Sequence, residues 1–153
     1  MTQITIRVAT VGDLDLLAAG NIAAAQETEG RSLDGETARL GVRRVLEDPA
    51  KGVYYVAELD GRVVGQLLIT CEWSDWRERM FWWIQSVYVV PDARRQGVYR
   101  ALHTWIEQQA RATPGVCGLR LYVEHNNTRA QQTYEHLGMS PAHYRMYETT
   151  WNG

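Results

Sequence analysis

Several residue types are scarce in this chain of 153 residues. It has two cysteines, four prolines and one phenylalanine, and Lys51 is its only lysine. Cys71 and Cys117 fall inside apolar, strand-like segments, so we expect two buried free thiols rather than a disulfide. No apolar run reaches the roughly 20 residues that a membrane span needs. The sequence therefore predicts a protein without a membrane-spanning helix.

Strong charge of either sign is also absent. The formal net charge is -2, which argues against a basic, nucleic-acid-binding face. The N-terminus lacks the basic-then-apolar pattern of a secretory signal, so we expect a cytoplasmic protein. The histidines show no metal-ligand spacing, and we expect no metal site. With 45% hydrophobic and 22% charged residues, residues 1–153 have the size and composition of one soluble domain.

Hydrophobic periodicity and turn residues divide the chain into ten predicted elements. They are strands at 3–9, 53–59, 62–74, 81–90, 116–124 and 142–151, and helices at about 14–28, 36–48, 98–113 and 128–137. Asp60-Gly61 predicts a type I′ turn between the second and third strands. The order βααβββαβαβ predicts a mixed α/β sheet flanked by helices. The strands around Val87 and Val123 are expected to be parallel because a helix joins them.

The stretch from Gln85 to Leu102 is the most informative part of the sequence. A β-branched strand leads through an Arg-Gly turn into an amphipathic helix. Unpaired amides and the dipole at a helix start attract an anion, and Gly97 would let the backbone approach it closely. The stretch therefore predicts a phosphate site, with an ordinary strand-loop-helix connection carrying solvated arginines as the alternative.

This stretch resembles the central motif of the GNAT superfamily of acyl-CoA-dependent N-acetyltransferases. The motif is hydrophobic-x-Val, a short spacer and Arg-x-x-Gly-x-Gly/Ala. Val87 and Val89 match its strand, and Arg94 and Gly97 match its turn. Tyr99 stands where the family has a small residue, so its ring must point away from the cofactor.

A second GNAT motif lies downstream, where a strand, an Asn cap and a short helix follow one another. Asn127, Ala130, Tyr134 and Gly138 fall in register with the family pattern, and Met139 replaces its Phe. The resemblance covers roughly residues 53 to 150. It implies the GNAT fold, in which the two parallel strands splay apart to admit the pantetheine arm of the cofactor.

The resemblance implies acetyl-CoA as the co-substrate and assigns most of its contacts. The backbone amides expected to hold its pyrophosphate are those of Gln96, Gly97, Val98, Tyr99 and Arg100, with Arg94 and Arg95 near the phosphates. Val87 and Val89 would offer backbone groups to the thioester and the pantetheine. The Val87 amide is the candidate donor to the acetyl carbonyl, where negative charge develops as an amine attacks. Asn127 would hydrogen-bond the cofactor or the backbone.

Tyr134 is the general acid that the resemblance implies, protonating the departing CoA thiolate. A phenol with a pKa near 10 is a reasonable donor to a thiolate. The alternative is that Tyr134 only packs, as a tyrosine at helical spacing from Ala130 often does.

Glu72 is a candidate base for the incoming amine. We assume a hairpin that is symmetrical about Arg77 and Glu78. Glu72 then lies opposite Trp83 and diagonal to Gln85 on one sheet face, beside the thioester strand. A solvated edge glutamate is the alternative, since a slip of one residue flips the face.

Two further features concern the acceptor. Glu27 and Glu29 lie in the polar break between the first two helices. In GNAT folds this region forms one side of the acceptor site, so either carboxylate could meet the amine. The alternative is that both are ordinary surface charges. Aromatic residues crowd the third and fourth strands, partly as core and partly, we expect, as a pocket for a cationic amine. They are Trp73, Trp76, Phe81, Trp82 and Trp83.

The sequence therefore predicts an N-acetyltransferase that moves an acetyl group from acetyl-CoA to a primary amine by direct attack in a ternary complex. The amine belongs to a small molecule or a peptide, and homodimerisation is left open. One alternative is a non-catalytic acyl-CoA-binding module of the same fold, which Tyr99 favours and Tyr134 opposes. A nucleotide-binding α/β enzyme is the other, but Gly-x-Gly-x-x-Gly and P-loop motifs are missing.

Overall fold

The computed structural model describes residues 3–151, which divide into two compact units. The first unit ends at Tyr122 and the second begins at Val123. The sheet and three helices belong to the first unit, and a fourth helix belongs to the second. The expectation of one domain over 1–153 stays a prediction.

The first unit is a five-stranded sheet with helices on both faces. Its elements are β1 (Ile4–Val8), α1 (Leu14–Glu29), α2 (Gly35–Glu47), β2 (Val53–Leu59), β3 (Arg62–Ser74), β4 (Arg79–Val89), α3 (Val98–Ala112) and β5 (Val116–Arg120). Strands β1 to β4 are antiparallel neighbours, and β5 lies parallel to β4 at the end of the order β1-β2-β3-β4-β5. This is the mixed sheet that the sequence predicts, including the parallel pair.

The turn between β2 and β3 confirms the predicted hairpin. Leu59 pairs with Arg62, which leaves two residues in the loop. Asp60 and Gly61 have φ angles of 52° and 82°, and positive φ at both central positions is what a type I′ turn requires.

Two hydrophobic clusters lie on opposite faces of the sheet. Alternate residues of β2 belong to different clusters. Tyr55 and Ala57 lie in the cluster under α3, and Tyr54 and Val56 lie in the cluster under α1 and α2. This division follows from the two-residue period of a strand. Helix α3 buries Val98, Leu102, Ile106 and Ala110 at a spacing of four residues, and it also buries His103.

A glycine on β3 brings the start of α3 close to the sheet. A Cβ at Gly65 would lie 2.7 Å from Cγ1 of Val98, too close for any larger residue. The first turn of α3 therefore rests directly on the backbone of β3.

A buried amide fixes α1 on the other face. Gln66 of β3 is 2% exposed, and its Nε2 donates to the Leu17 carbonyl (3.0 Å) and to Asn21 Oδ1 (3.1 Å). A Cβ at Gly20 would come within 2.2 Å of Gln66 Oε1. The middle of α1 is therefore held by paired polar groups as well as by apolar contact.

The predicted register of the β3–β4 hairpin is wrong by two residues. Glu72 pairs with Phe81, and Trp83 pairs with Thr70. The turn occupies residues 75–78, where Glu78 has a φ of 53°, so the hairpin is centred one residue earlier than we assumed. Because the shift is two residues, Glu72 keeps its predicted face.

The expectation of a buried thiol at Cys71 is also wrong. Both cysteines are free, but Cys71 is exposed and Cys117 is partly buried. The pairing of β2 with β3 ends at Val53 and Ile69. Cys71 therefore lies beyond the part of β3 that β2 covers.

The second unit contains one helix, α4 (Thr128–His136). Asn127 caps it, since its Oδ1 accepts from the amide of Ala130 at 3.2 Å, and Gly138 follows with a φ of 94°. Helix, cap and stop are as the sequence predicts. None of the four helices described is long and apolar enough to cross a membrane.

The predicted strand at 142–151 is wrong, and the preceding strand is shorter than predicted. Residues 140–151 form no strand and are all exposed, and β5 ends at Arg120 instead of Glu124. A period-two pattern shows that a segment can fit a sheet, but a strand also needs an edge to pair with. Local sequence does not supply that information.

Candidate active site

A β-bulge interrupts β4 beside the predicted thioester contacts. Ser86 and Val87 together face one residue of β3, Leu67. Ser86 has a φ of 51°, a left-handed conformation that is uncommon for a non-glycine residue. Bulges of this kind bend a strand and redirect its backbone groups, and they are frequent next to active sites.

The edge of β4 that faces β5 is paired over only part of its length. The parallel pairing of β4 with β5 runs from Met80 to Trp83. Among residues 3–151, the later part of β4 has β3 as its only strand neighbour. Val87 and Val89 thus lie beyond the last residue of β4 that pairs with β5.

The turn after β4 leads into α3 through two left-handed residues. A short 3-10 turn covers Pro91–Ala93, and Arg95 and Gly97 have φ angles of 63° and 80°. No side chain caps α3 at Gly97, and a Cβ built there would meet no atom within 4 Å. The first amides of α3 are therefore left for an external acceptor.

The arginines of this turn have different environments. Arg95 and Arg100 are exposed, and neither makes an ion pair within the described part of the chain. Arg94 instead holds Glu27 of α1, with 2.7 Å between Nη2 and Oε2. Glu29, at the end of α1, has no such partner among residues 3–151.

The side chain of Tyr99 contacts His103 of the same helix. Its hydroxyl shares a hydrogen bond of 3.2 Å with Nδ1 of His103, one turn on, and the two rings meet edge to face. His103 is 1% exposed, and this burial lowers its pKa. Its Nε2 has no hydrogen-bond partner in the described residues.

Glu72 is held by two donors. Its Oε1 accepts from Arg120 Nη1 at 2.6 Å and from Trp83 Nε1 at 3.2 Å. These bonds, that of Arg120 first, hold the pKa of Glu72 below its ordinary value. The Arg120 guanidinium also lies 3.7 Å from the centre of the Phe81 ring. A carboxylate stabilised in this way is a weak base.

Gln85 lies on the same face of the hairpin as Glu72 and Trp83. Its Nε2 donates to the hydroxyl of Thr70, the residue that pairs with Trp83, at 2.5 Å. The Trp83 ring lies 5.9 Å from that of Tyr122. The predicted grouping of carboxylate, indole and amide on one face is therefore present, although the pairing differs.

In the second unit, Tyr134 lies on α4 and is partly buried. Burial raises its pKa, so the phenol is protonated at neutral pH and is able to donate. The side-chain oxygen of Asn127 accepts the hydrogen bond that caps α4. No group of three or more potential metal ligands occurs within residues 3–151.

Residues 20–139 match the family model of the Acetyltransferase (GNAT) family. The chain belongs to this family. It is therefore a GNAT acetyltransferase, and acetyl-CoA is the acetyl donor that the family implies. No curated protein matches the chain.

Solved structures agree with this assignment. The chain is 43% identical to a possible acetyltransferase from Clostridium difficile 630, with a TM-score of 0.92 over 98% of this chain and 99% of that one. It is 27% identical to a probable acetyltransferase, with a TM-score of 0.83 over 97% and 99%. A ribosomal-protein-alanine N-acetyltransferase from Brucella melitensis biovar Abortus 2308 shares the fold at 18% identity and a TM-score of 0.76, over 98% and 100%.

Two residues of the site were missed by sequence reasoning. Ser86 gives no signal, because serine has no strong preference for the left-handed region. Arg120 could have been found, since it interrupts the apolar run of β5 at a position whose alternation places it on one sheet face with Leu121 on the other.

Proposed function

We propose that this chain transfers the acetyl group of acetyl-CoA to a primary amine by direct attack within a ternary complex. The observation that carries the proposal is the edge of β4 that has no strand partner on the β5 side after Trp83 among the described residues. It leads through the bulge at Ser86 to the start of α3 at Gly97, which no side chain caps. One continuous stretch of backbone can thus serve both ends of an elongated thioester.

The phosphates of CoA are assigned to the α3 end of this stretch. The amides from Gln96 to Arg100 offer hydrogen bonds, the helix dipole adds partial positive charge, and Arg95 supplies a full charge. The open space at Gly97 supports the assignment, because a diphosphate must come close to the backbone there.

The reacting carbonyl is assigned to the bulge. Acetyl-CoA supplies an activated acyl group on a thiol leaving group. The Val87 amide, which lies at the bulge, is assigned as the donor to the carbonyl oxygen as negative charge builds on it. Val89 is assigned to hold the pantetheine through its backbone. The new C–N bond forms as the C–S bond breaks.

Tyr134 is assigned the role of general acid, which donates a proton to the leaving thiolate. Its protonated phenol and its place in the second family motif support this role. Packing alone is the alternative for this side chain, and Tyr134→Phe separates the two roles because it removes only the hydroxyl.

Glu72 is assigned to the acceptor rather than to proton removal. Its pairing with Arg120 and Trp83 makes it a weak base, while the exposed carboxylate beside an indole suits a cationic group of the acceptor. Glu29, which has no ion-pair partner in the described chain, or a chain of water molecules then takes the proton from the amine.

The test is thiol release from acetyl-CoA with a panel of primary amines, including small polyamines, amino acids, aminoglycosides and peptide N-termini. Release that depends on one class of amine supports the proposal. Binding of acetyl-CoA, seen as a rise in melting temperature, without amine-dependent release across the panel would favour the non-catalytic binding module.

A further inference from the structure

Within residues 3–151, the side chain of Arg94 contacts three residues, all in the first unit. Its Nε donates to the Val89 carbonyl at 2.9 Å, its Nη2 lies 2.7 Å from Glu27 Oε2, and its guanidinium lies 5.5 Å from the centre of the Tyr88 ring. A planar guanidinium with a fixed fork of donors is oriented by contacts of this kind.

These contacts join three elements that meet at the site. Glu27 lies in the last turn of α1, Val89 is the last residue of β4, and Arg94 lies in the turn before α3. The middle of α1 is already held by the buried Gln66. Arg94 adds a second attachment at the end of the helix, the region assigned to the acceptor wall.

Arg95 and Arg100 differ from Arg94 in this respect. Both are exposed, and neither forms an ion pair with a described residue. These two bonds use two of the five N–H donors of Arg94 and fix its guanidinium between Glu27 and Val89. To reach a phosphate outside this position, Arg94 would have to give up one of them. Arg95 and Arg100 would give up no ion pair with a described residue.

We propose that Arg94 is a positioning residue, which holds the end of α1 against the cofactor turn through Glu27, and that Arg95 and Arg100 supply the cationic side-chain contacts to the phosphates of CoA. This inference rests on the proposed function. It reverses the expectation that Arg94 itself approaches the phosphates.

The first test compares matched variants for acetyl-CoA affinity at two salt concentrations. Arg95→Gln should raise the dissociation constant about tenfold and weaken its salt dependence, because a charge on the phosphates is lost. Arg94→Gln should leave both within about twofold of the parent. A loss of affinity in Arg94→Gln equal to that in Arg95→Gln would overturn the inference while leaving the proposed function intact.

The second test follows amide hydrogen exchange in the last turn of α1. Arg94→Gln and Glu27→Gln should each speed exchange there about two- to fivefold, the size expected for an exposed ion pair. Glu29→Gln should not, because Glu29 lacks the partner. The reversed pair, Glu27→Arg with Arg94→Glu, should restore most of the protection. Unchanged exchange in Glu27→Gln, or no rescue by the reversed pair, would overturn the inference.

Failure of the proposed function has a different signature. If the parent protein shows no affinity for acetyl-CoA, the function and the assignment of Arg95 fall together. The exchange measurements need no ligand, so they would then still decide whether Arg94 holds α1.

Discussion

The two units of this protein carry equally clear sequence motifs but very different cores. Every buried residue described lies in the first unit, which ends at Tyr122, and none lies in the second. The contrast is sharpest between the two motif helices. Helix α3 buries Val98, Leu102 and Ile106, whereas α4 buries no residue completely.

This difference shows that local sequence signals can specify where a helix begins and ends but not whether it packs into a core. A cap at Asn127 and a glycine stop at Gly138 are enough to specify α4. The cofactor turn before α3 has the same kind of signals and, in addition, a helix packed on Gly65 and Leu67. The turn proposed to bind the cofactor is therefore supported by a core in its own unit, whereas the described part of the second unit, which carries Tyr134, has no buried residue.

The largest expected effect is a difference in stability between the units. Leu102→Ala, at a side chain with 0% exposure, should lower the free energy of unfolding by about 2–5 kcal/mol. Met146→Ala, at a side chain with 60% exposure in the second unit, should change it by less than about 0.5 kcal/mol. Urea unfolding measures both free energies. Equal losses of stability in the two variants would contradict the proposed difference between the units.

The next effect concerns chemistry in the unit without a core. Tyr134→Phe should reduce turnover about a hundredfold or more, the size expected for a lost proton donor, with little change in acetyl-CoA affinity or unfolding. Because burial raises the pKa of Tyr134, the parent should not lose this donor until the pH exceeds about 10. Turnover within about twofold of the parent would leave Tyr134 a packing residue.

A smaller effect should appear in the pH dependence of stability. Burial lowers the pKa of His103, so below about pH 6.5 the unfolded chain binds a proton that the folded protein does not. Stability is then complete above that pH and falls as the pH drops, by at most about 1.4 kcal/mol per pH unit. His103→Leu should flatten this slope between pH 5 and 7. His143→Gln, at an exposed position of the second unit, is the control and should not.

The smallest expected effect is on the pH profile of Glu72. Since Arg120 and Trp83 lower its pKa, Glu72 is ionised at every pH at which the protein is assayed near neutrality. Glu72→Gln should therefore reduce turnover of a cationic amine by a constant factor, with a pH–rate profile parallel to that of the parent from pH 6 to 9. A loss confined to the acidic side of the profile would restore Glu72 as the base.

The sequence predicts most of the first unit because its signals are local and agree with its packing. Asp60-Gly61 specifies a tight hairpin, and the glycine turn before Val98 specifies the start of α3. The same reasoning fails where contacts between distant segments determine the strand register or the pairing. The pairing of β3 with β4 differs by two residues from the expected one, with Glu78 in a left-handed conformation in the turn. The segment at 142–151 has a strand pattern but forms no strand.

The site shows the same limit. Arg94 is recognisable from its motif, but its pairing with Glu27 joins residues 67 positions apart. Ser86 and Val87 form the bulge, although nothing in the residue type of Ser86 predicts its positive φ. Ion pairs and bulges of this kind depend on the register of the whole sheet, which no short motif contains.

The central claim, that the turn at the start of α3 binds acetyl-CoA, is tested most directly by one pair of glycine variants. Gly97 and Gly115 have φ angles of 80° and 83°, and a Cβ at either would meet no atom within 4 Å. Gly97→Val and Gly115→Val therefore impose similar backbone strain, but only the first obstructs the proposed phosphate site. We predict that acetyl-CoA raises the melting temperature of the parent and of Gly115→Val but not that of Gly97→Val. An undiminished rise in folded Gly97→Val would contradict the account.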